Sequence, residues 1–183
     1  FNNTLKDNRY YGLYVSGSNC KILNNNVTLI GYYIYADYGL SISGDNNTIS
    51  RNKVESQGYS RHYYDIYIVG SNNTVFRNNA TMASDYGIVF SGSNNIVVEN
   101  NATSNTHAGI YLYTGGSNNV IDSNFAALNN IGVYENLYSE AHNNTISNNL
   151  LADNGYGIYL DYYSWGYGNY NNTVKNNNVT DSD

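Results

Sequence analysis

Cysteine occurs once, at Cys20, so no intramolecular disulfide can form, and no Cys-x-x-Cys or Cys/His spacing offers a zinc site. Stability must therefore come from packing and hydrogen bonds. Proline is absent altogether, which excludes any active-site word that needs one. Charged residues make up 12% of the chain, about half the roughly 25% usual in soluble domains, so the exterior is built from amide and hydroxyl groups. The eight Lys and Arg are scattered and the net charge is -6; phosphate binding needs a basic face, so a nucleic-acid partner is excluded. No apolar run approaches the roughly 18 residues of a membrane span, and no leader precedes Phe1. A soluble chain without membrane insertion is expected, either mature or excised from something longer.

What is abundant is Asn, with 36 residues, and Tyr, with 22. Both are organised by an internal repeat that runs through all 183 residues and implies a single domain, 1–183. Tyr11-Gly12-Leu13-Tyr14-Val15, Tyr38-Gly39-Leu40-Ser41-Ile42, Tyr86-Gly87-Ile88-Val89-Phe90 and Tyr156-Gly157-Ile158-Tyr159-Leu160 are copies of one pattern. The segments starting at Tyr64, Ala108 and Ile131 complete seven copies, spaced 22 to 27 residues apart. Each copy continues into a second apolar column (Ile22, Ile49, Val75, Val97, Ile121, Ile146, Val174) and, five residues on, a third (Val27, Val54, Ala80, Ala102, Ala126, Leu151, Val179, with Leu5 before them). Alternation at i, i+2 turns Leu13 and Val15 to one face and Tyr14 to the other. Three short strands cannot bury their inner side chains alone, but stacked coils make a continuous core and pair their backbones in parallel sheets. The fold expected is all-β: a right-handed, single-stranded parallel β-helix of about seven coils with three short strands per coil. At about 4.8 Å per coil it forms a rod on the order of 35 Å long.

Asparagine fills whole columns. One is Asn3, Asn25, Asn52, Asn78, Asn100, Asn124, Asn149 and Asn177; a second is Asn19, Asn46, Asn72, Asn94, Asn118, Asn143 and Asn171. In a third, Cys20 precedes Asn47, Asn73, Asn95, Asn119, Asn144 and Asn172, so Cys20 reads as a packed turn residue. Asn tolerates left-handed turn geometry, and stacked amides can hydrogen-bond along a rod. The recurring Gly-Ile-Tyr-Leu, Gly-Ser-Asn-Asn-Thr-Ile and Asn-Asn-Ala-Thr words resemble the β-helix repeats of the NosD-like and archaeal surface-protein families. That resemblance covers the whole chain and implies a secreted, periplasmic or cell-surface location; its motifs specify a scaffold and no reaction.

The same fold hosts polysaccharide enzymes, whose sites carry diagnostic words. The Asn-Thr-Asp, Asp-Asp, Gly-His-Gly and Arg-Ile-Lys words of polygalacturonases are missing, and the Asp-Pro-His-Asp of epimerases needs a proline. The best remaining acids are Asp37, Asp65 and Asp85, near one turn on successive coils with Arg61, His62 and His107 in register. Stacked carboxylates there suit Ca²⁺ or acid/base work, but Asp capping of exposed turns explains them too. No catalytic residue, metal site or cofactor is expected. Glu135 stands where other coils carry Val, Ile, Leu or Phe; local remodelling around Asn136–His142 is expected there rather than a special partner. Of nine N-x-Ser/Thr sequons, Asn26, Asn79, Asn101 and Asn178 are the expected glycosylation sites if the chain is glycosylated.

Tyr14, Tyr67, Tyr111, Tyr134 and Tyr159 form an outward column, extended at one corner by Tyr162, Tyr163 and Trp165. An exposed tyrosine line suits a glycan or a protein partner, while cross-strand stacking is the plain structural reading. Neither end carries a capping helix, a proline or a charge cluster. Phe1–Leu5 occupies the same phase as Lys175–Val179, so copies stacked end to end are the expected partner. The function expected is a non-catalytic extracellular or cell-surface structural β-helix, forming a filament or part of a longer surface protein. A carbohydrate-binding module on the tyrosine face is the alternative, and a polysaccharide lyase or epimerase a further one.

Overall fold

A computed structural model describes residues 1–8, 10–29, 37–56, 63–137, 141–162 and 170–181 of the 183. The described residues form strands and turns with no helix, and so no helix long and apolar enough to cross a membrane. They wind into a right-handed parallel β-helix with three sheets. The first sheet stacks Tyr11–Ser16, Asp37–Ser43, Tyr63–Val69, Tyr86–Ser91, Ala108–Leu112, Ile131–Leu137 and Tyr156–Tyr162. The second stacks Lys21–Leu23, Thr48–Ser50, Thr74–Phe76, Ile96–Val98, Val120–Asp122, Thr145–Ser147 and Thr173–Lys175. The third has eight strands: Thr4–Lys6, Asn26–Leu29, Lys53–Ser56, Asn79–Thr81, Asn101–Thr103, Phe125–Ala127, Leu150–Ala152 and Asn178–Thr180.

Every pairing is parallel and in the register of the repeat. Leu5 pairs with Val27, Val27 with Val54 and Val54 with Ala80, and the same column continues to Val179. The three apolar columns meet in one core, with Leu40, Ile66, Ile88, Ile110 and Val133 of the first sheet facing Ile49, Val75 and Val97 of the second and Val54, Ala80 and Ala102 of the third.

The turns divide the two roles of asparagine between columns. Asn19, Asn46, Asn72, Asn94, Asn118, Asn143 and Asn171 all have φ near 57–60°, the left-handed region that Asn tolerates. The next residue turns inward. Cys20 N donates to Asn47 Oδ1 at 2.8 Å, Asn47 N to Asn73 Oδ1 at 2.8 Å, and so on to Asn172. At the second corner Asn25, Asn52, Asn78, Asn100, Asn124 and Asn149 form a fuller ladder. Asn100, for example, donates both N and Nδ2 to Asn124 Oδ1 and also sends Nδ2 to the Val75 carbonyl. These amides are buried, and each satisfies backbone groups that a turn leaves unpaired. At the third corner, Asn105, Asn129 and Asn154 form a ladder that the repeat words do not announce. A hydroxyl ladder runs outside the first corner, where Ser93 N donates to Ser71 Oγ and Ser117 N to Ser93 Oγ.

Glu135 corrects one expectation. The strand Ile131–Leu137 keeps its register to its end, Glu135 pairs between Leu112 and Leu160, and its side chain is buried, while 138–140 of the stretch expected to be remodelled lie outside the described residues. Its partner is Asn144, whose Nδ2 donates to Oε1 at 2.8 Å. Burial raises the Glu135 carboxyl above its ordinary value, and the Asn144 bond only partly opposes this.

Candidate functional surface

The Tyr-Gly word turns out to place both residues. Strict alternation breaks at the corner that opens the first sheet: Tyr points out and the following Gly points in. At Gly39 a Cβ would lie 2.2 Å from Val54 Cγ1 and 2.5 Å from the Asp65 carbonyl oxygen, so only hydrogen fits. Tyr11, Tyr38, Tyr64 and Tyr86 therefore join the outward column as a second line beside it. Together they make one file of rings. Centroid distances are 5.5 Å for Tyr11–Tyr38, 5.4 Å for Tyr38–Tyr64, 5.3 Å for Tyr64–Tyr86, 4.6 Å for Tyr86–Tyr111, 4.6 Å for Tyr111–Tyr134 and 5.7 Å for Tyr134–Tyr159. Tyr67 touches Tyr38 and Tyr64, Tyr14 touches Tyr11, and Tyr156 touches Tyr159.

The file is not exposed along its length. Tyr111 and Tyr134 are buried, at 4% and 8% exposure, with Val89, Ala108 and Ile131 in a small apolar cluster outside the sheet. They stack face to face with an interplanar angle of 10°, so each ring spends its face on its neighbour. Tyr14, Tyr156 and Tyr159 at the two ends are exposed, and Tyr67 is half-buried. Asn136 Nδ2 donates to the Tyr111 hydroxyl at 3.0 Å, and the Tyr134 hydroxyl donates to Asp161 Oδ2 at 3.2 Å. Burial raises the Tyr38, Tyr64, Tyr67 and Tyr86 phenols, and the charge of Asp85 adds to this at Tyr64 and Tyr86. Tyr163 and Trp165 lie outside the described residues, as do Arg61 and His62, and of Tyr162 only the backbone is described.

The three aspartates do not form a column. Asp37 pairs with Tyr63, and Asp85 precedes Tyr86, the partner of Tyr64, so Asp37 and Asp85 share a corner two coils apart. His107 Nδ1 lies 3.5 Å from Asp85 Oδ1, and its ring lies against Tyr86. Asp65 instead occupies the inward glycine column and is fully buried, accepting from Ser56 Oγ at 2.5 Å while its Oδ2 has no partner among the described residues. Burial raises its carboxyl well above the ordinary value, opposed by the Ser56 bond and reinforced by Glu55. Its position is explained one coil on. Where Gly87, Gly109 and Gly132 sit against the amides of Asn105, Asn129 and Asn154, the repeat register sets Ala83 opposite Asp65, and Ala83 N donates to Asn105 Oδ1 as a ladder residue does. The Asp carboxyl fills the space that an Asn amide takes elsewhere.

Among the sequons, Asn26 and Asn178 are exposed, whereas Asn79 and Asn101 are half-buried and joined by an Asn101 Nδ2 to Asn79 Oδ1 hydrogen bond of 3.1 Å. Asn46, Asn72, Asn143 and Asn171 stand exposed at the left-handed turn.

Residues 59–183 match the model of the family described as periplasmic copper-binding protein, NosD. The solved structures it resembles include two of one enzyme. The crystal structure of the periplasmic alginate epimerase AlgG has a TM-score of 0.71 at 21% identity, over 97% of this chain and 43% of that one. A mutant of the same epimerase has a TM-score of 0.58 at 17% identity, over 87% of this chain and 50% of that one. The chain thus spans half or less of the structures it matches, and at such identity the likeness is one of fold. Curated proteins gave no match. The copper in the family description can be tested against the donors. Copper takes imidazole and soft sulfur ligands, which among the described residues are Cys20, Met82, His107 and His142. Cys20 Sγ turns to the Ser18 carbonyl, His107 Nδ1 to Asp85, and His142 Nδ1 to Ser117 Oγ with its ring on Tyr170. No group of three or more His, Cys, Asp or Glu among the described residues can hold a metal, so these residues do not fit a copper site.

Proposed function

We propose that this chain, which belongs to the NosD family, is a rigid, non-catalytic β-helical segment of an envelope-exposed protein. The family and the fold neighbour, both described as periplasmic, support an exported setting. The observation that carries the structural reading is the state of the end faces. The inner columns are closed in the middle coils, partly open at the first, where Leu5, Leu13 and Val15 are half-buried, and open at the last, where Val174 and Val179 are each 47% exposed. The Asn ladders are polar in one respect: the backbone N–H of each ladder Asn donates toward the last coil, to the side-chain oxygen of the next Asn, while its Nδ2 also reaches back to a carbonyl of the coil before. Within these ladders the first coil is left with a side-chain oxygen to accept and the last with a backbone N–H to donate, which suits further coils of the same kind.

Stacking of two copies must satisfy one further condition. The rod begins and ends on its third sheet, at Thr4–Lys6 and Asn178–Thr180, so these strands compete for one level when a second copy continues the helix. End-to-end association thus requires one of them to be displaced, a condition that coils from a longer chain do not face. Negative-stain microscopy over a range of concentrations separates the two: filaments identify self-association, and isolated short rods a segment completed by other coils. Cleavage or epimerisation of any uronate polysaccharide by the purified chain would refute the non-catalytic reading.

A second reading, a carbohydrate-binding face, is favoured by the exposed Tyr14, Tyr156 and Tyr159 at the two ends of the file. AlgG is an alginate epimerase, so alginate is the first glycan to try. Binding lost in Tyr14→Ala or Tyr159→Ala supports this reading, and no binding on a glycan array removes it.

A further inference from the structure

The ring file extends from the first coil to the last with no gap. From Tyr14 the path runs through Tyr11, Tyr38, Tyr64, Tyr86, Tyr111 and Tyr134 to Tyr159, each ring within 5.7 Å of the next, centroid to centroid. Glycan binding needs free ring faces, and the buried Tyr111 and Tyr134, stacked on each other, have none to offer. Electron-rich phenols in contact, stacked at Tyr11–Tyr38, Tyr86–Tyr111 and Tyr111–Tyr134 and edge-on or tilted at the other steps, are instead well arranged to exchange electrons. We infer that the file is a relay for one-electron oxidation, carrying an oxidising equivalent along the rod from a high-potential one-electron oxidant at the first coil to the Tyr134–Asp161 pair.

The steps balance. The oxidant takes one electron from Tyr14 or Tyr11, whose phenol proton goes to water, leaving a neutral tyrosyl radical. An electron then passes to that radical from the next ring, the reduced phenol regains a proton from water, and the newly oxidised phenol releases one. Proton exchange with water cancels over the path. At Tyr134 the released proton has a fixed acceptor, since the hydroxyl already donates to Asp161 Oδ2 at 3.2 Å. The net change is one electron to the oxidant and one proton from Tyr134 to Asp161, with the radical on Tyr134. Stacking of the Tyr111 and Tyr134 rings on each other covers their faces against radical coupling. The relay is independent of the structural role proposed above, which microscopy tests separately.

Ser16 is exposed on the strand Tyr11–Ser16, two residues from Tyr14 and so on the same outward face. A ruthenium polypyridyl photo-oxidant attached through Ser16→Cys in a Cys20→Ser background starts the reaction beside Tyr14. After flash-quench oxidation, tyrosine oxidation is mapped by mass spectrometry, and the radical is followed by electron paramagnetic resonance. The expected result is oxidation on peptides carrying Tyr134 and Tyr159, falling at least tenfold in Tyr86→Phe and in Tyr64→Phe, each of which keeps a ring but removes a redox step. Tyr113 touches Tyr111 and lies near enough to Tyr38 and Tyr67 to raise their phenols, a path around Tyr64 and Tyr86, so both Phe variants are made in a Tyr113→Phe background; Tyr170→Phe, whose ring lies on His142 and not on the file, leaves the oxidation unchanged. Oxidation confined to Tyr11 and Tyr14 in the parent protein, or undiminished at Tyr134 and Tyr159 in both Phe variants with native circular dichroism, overturns the relay.

Discussion

Asp65 and Ala83 are expected to be a size-matched exception to the Gly/Asn pairing of the third corner, and a double-mutant cycle tests this. A Cβ on Gly87 would lie 2.6 Å from Asn105 Nδ2, and one on Gly109 2.9 Å from Asn129 Nδ2, so a side chain and a ladder amide exclude each other. Ala83→Asn alone drives an amide into the buried Asp65 carboxylate and costs about 1–3 kcal/mol of overpacking. Asp65→Gly alone removes an unpaired buried oxygen, a gain of about 1–3 kcal/mol. It also leaves Ser56 Oγ without this acceptor, opens a void and adds about 0.5–1 kcal/mol of backbone entropy cost, so its net effect is small. The double variant regains the regular rung: the introduced amide donates to Asn105 Oδ1 and to the Val54 carbonyl, as Asn129 donates to Asn154 Oδ1 and to the Ala102 carbonyl. Two buried hydrogen bonds of about 1 kcal/mol each and relief of the clash give a coupling of about 2–3 kcal/mol, within the range for contacting residues. Urea unfolding of the four proteins at pH 7, compared by midpoint at constant m, measures it. The double variant should also lose a pH dependence. A carboxyl held protonated by burial makes the fold bind the proton more tightly than the unfolded chain does. Stability is therefore full below the ordinary carboxyl value near 4 and declines as pH rises toward the folded one. Effects additive within about 0.5 kcal/mol, with an unchanged pH slope, would refute the pairing.

Glu135→Leu, matching its register neighbours Leu112 and Leu160, should stabilise the protein by about 1–2 kcal/mol at pH 8 and by less at pH 4, where the carboxyl is neutral; thermal melts at both values check this, and equal shifts would count against a raised carboxyl. Asn100→Ala removes the acceptor for Asn78 N and Nδ2 and the donor to Val75 and Asn124, and should cost about 3–5 kcal/mol from several buried bonds, against under about 1 kcal/mol for Asn94→Gly at the exposed turn. Expression in an N-glycosylating host should modify the exposed Asn26 and Asn178 and leave Asn79 and Asn101 bare, because the Asn101 amide is held by Asn79; peptide mapping of occupancy decides it.

Much of this architecture was legible in the sequence, because a solenoid repeats its local rules. The apolar columns, the left-handed Asn turns and the inward Asn ladders each recur at one phase per coil, and a column of seven or eight matching residues leaves little room for another register. The third-corner ladder was harder to see, since Asn105, Asn129 and Asn154 recur only on three coils and in unlike words. Asp65 was misplaced among the surface acids because it stands beside two of them in phase, and only the inward turn of the Tyr-Gly corner shows that its column faces the core.

The sequence by itself determined the fold, the register and the identity of the inner wall, since these follow from period, alternation and turn chemistry along the chain. The tertiary structure decided which outward residues meet. Whether Tyr111 faces solvent or another ring, and whether Asp65 faces water or Ala83, depends on the bend at each corner and on the coil above, and no stretch of neighbouring residues carries that information.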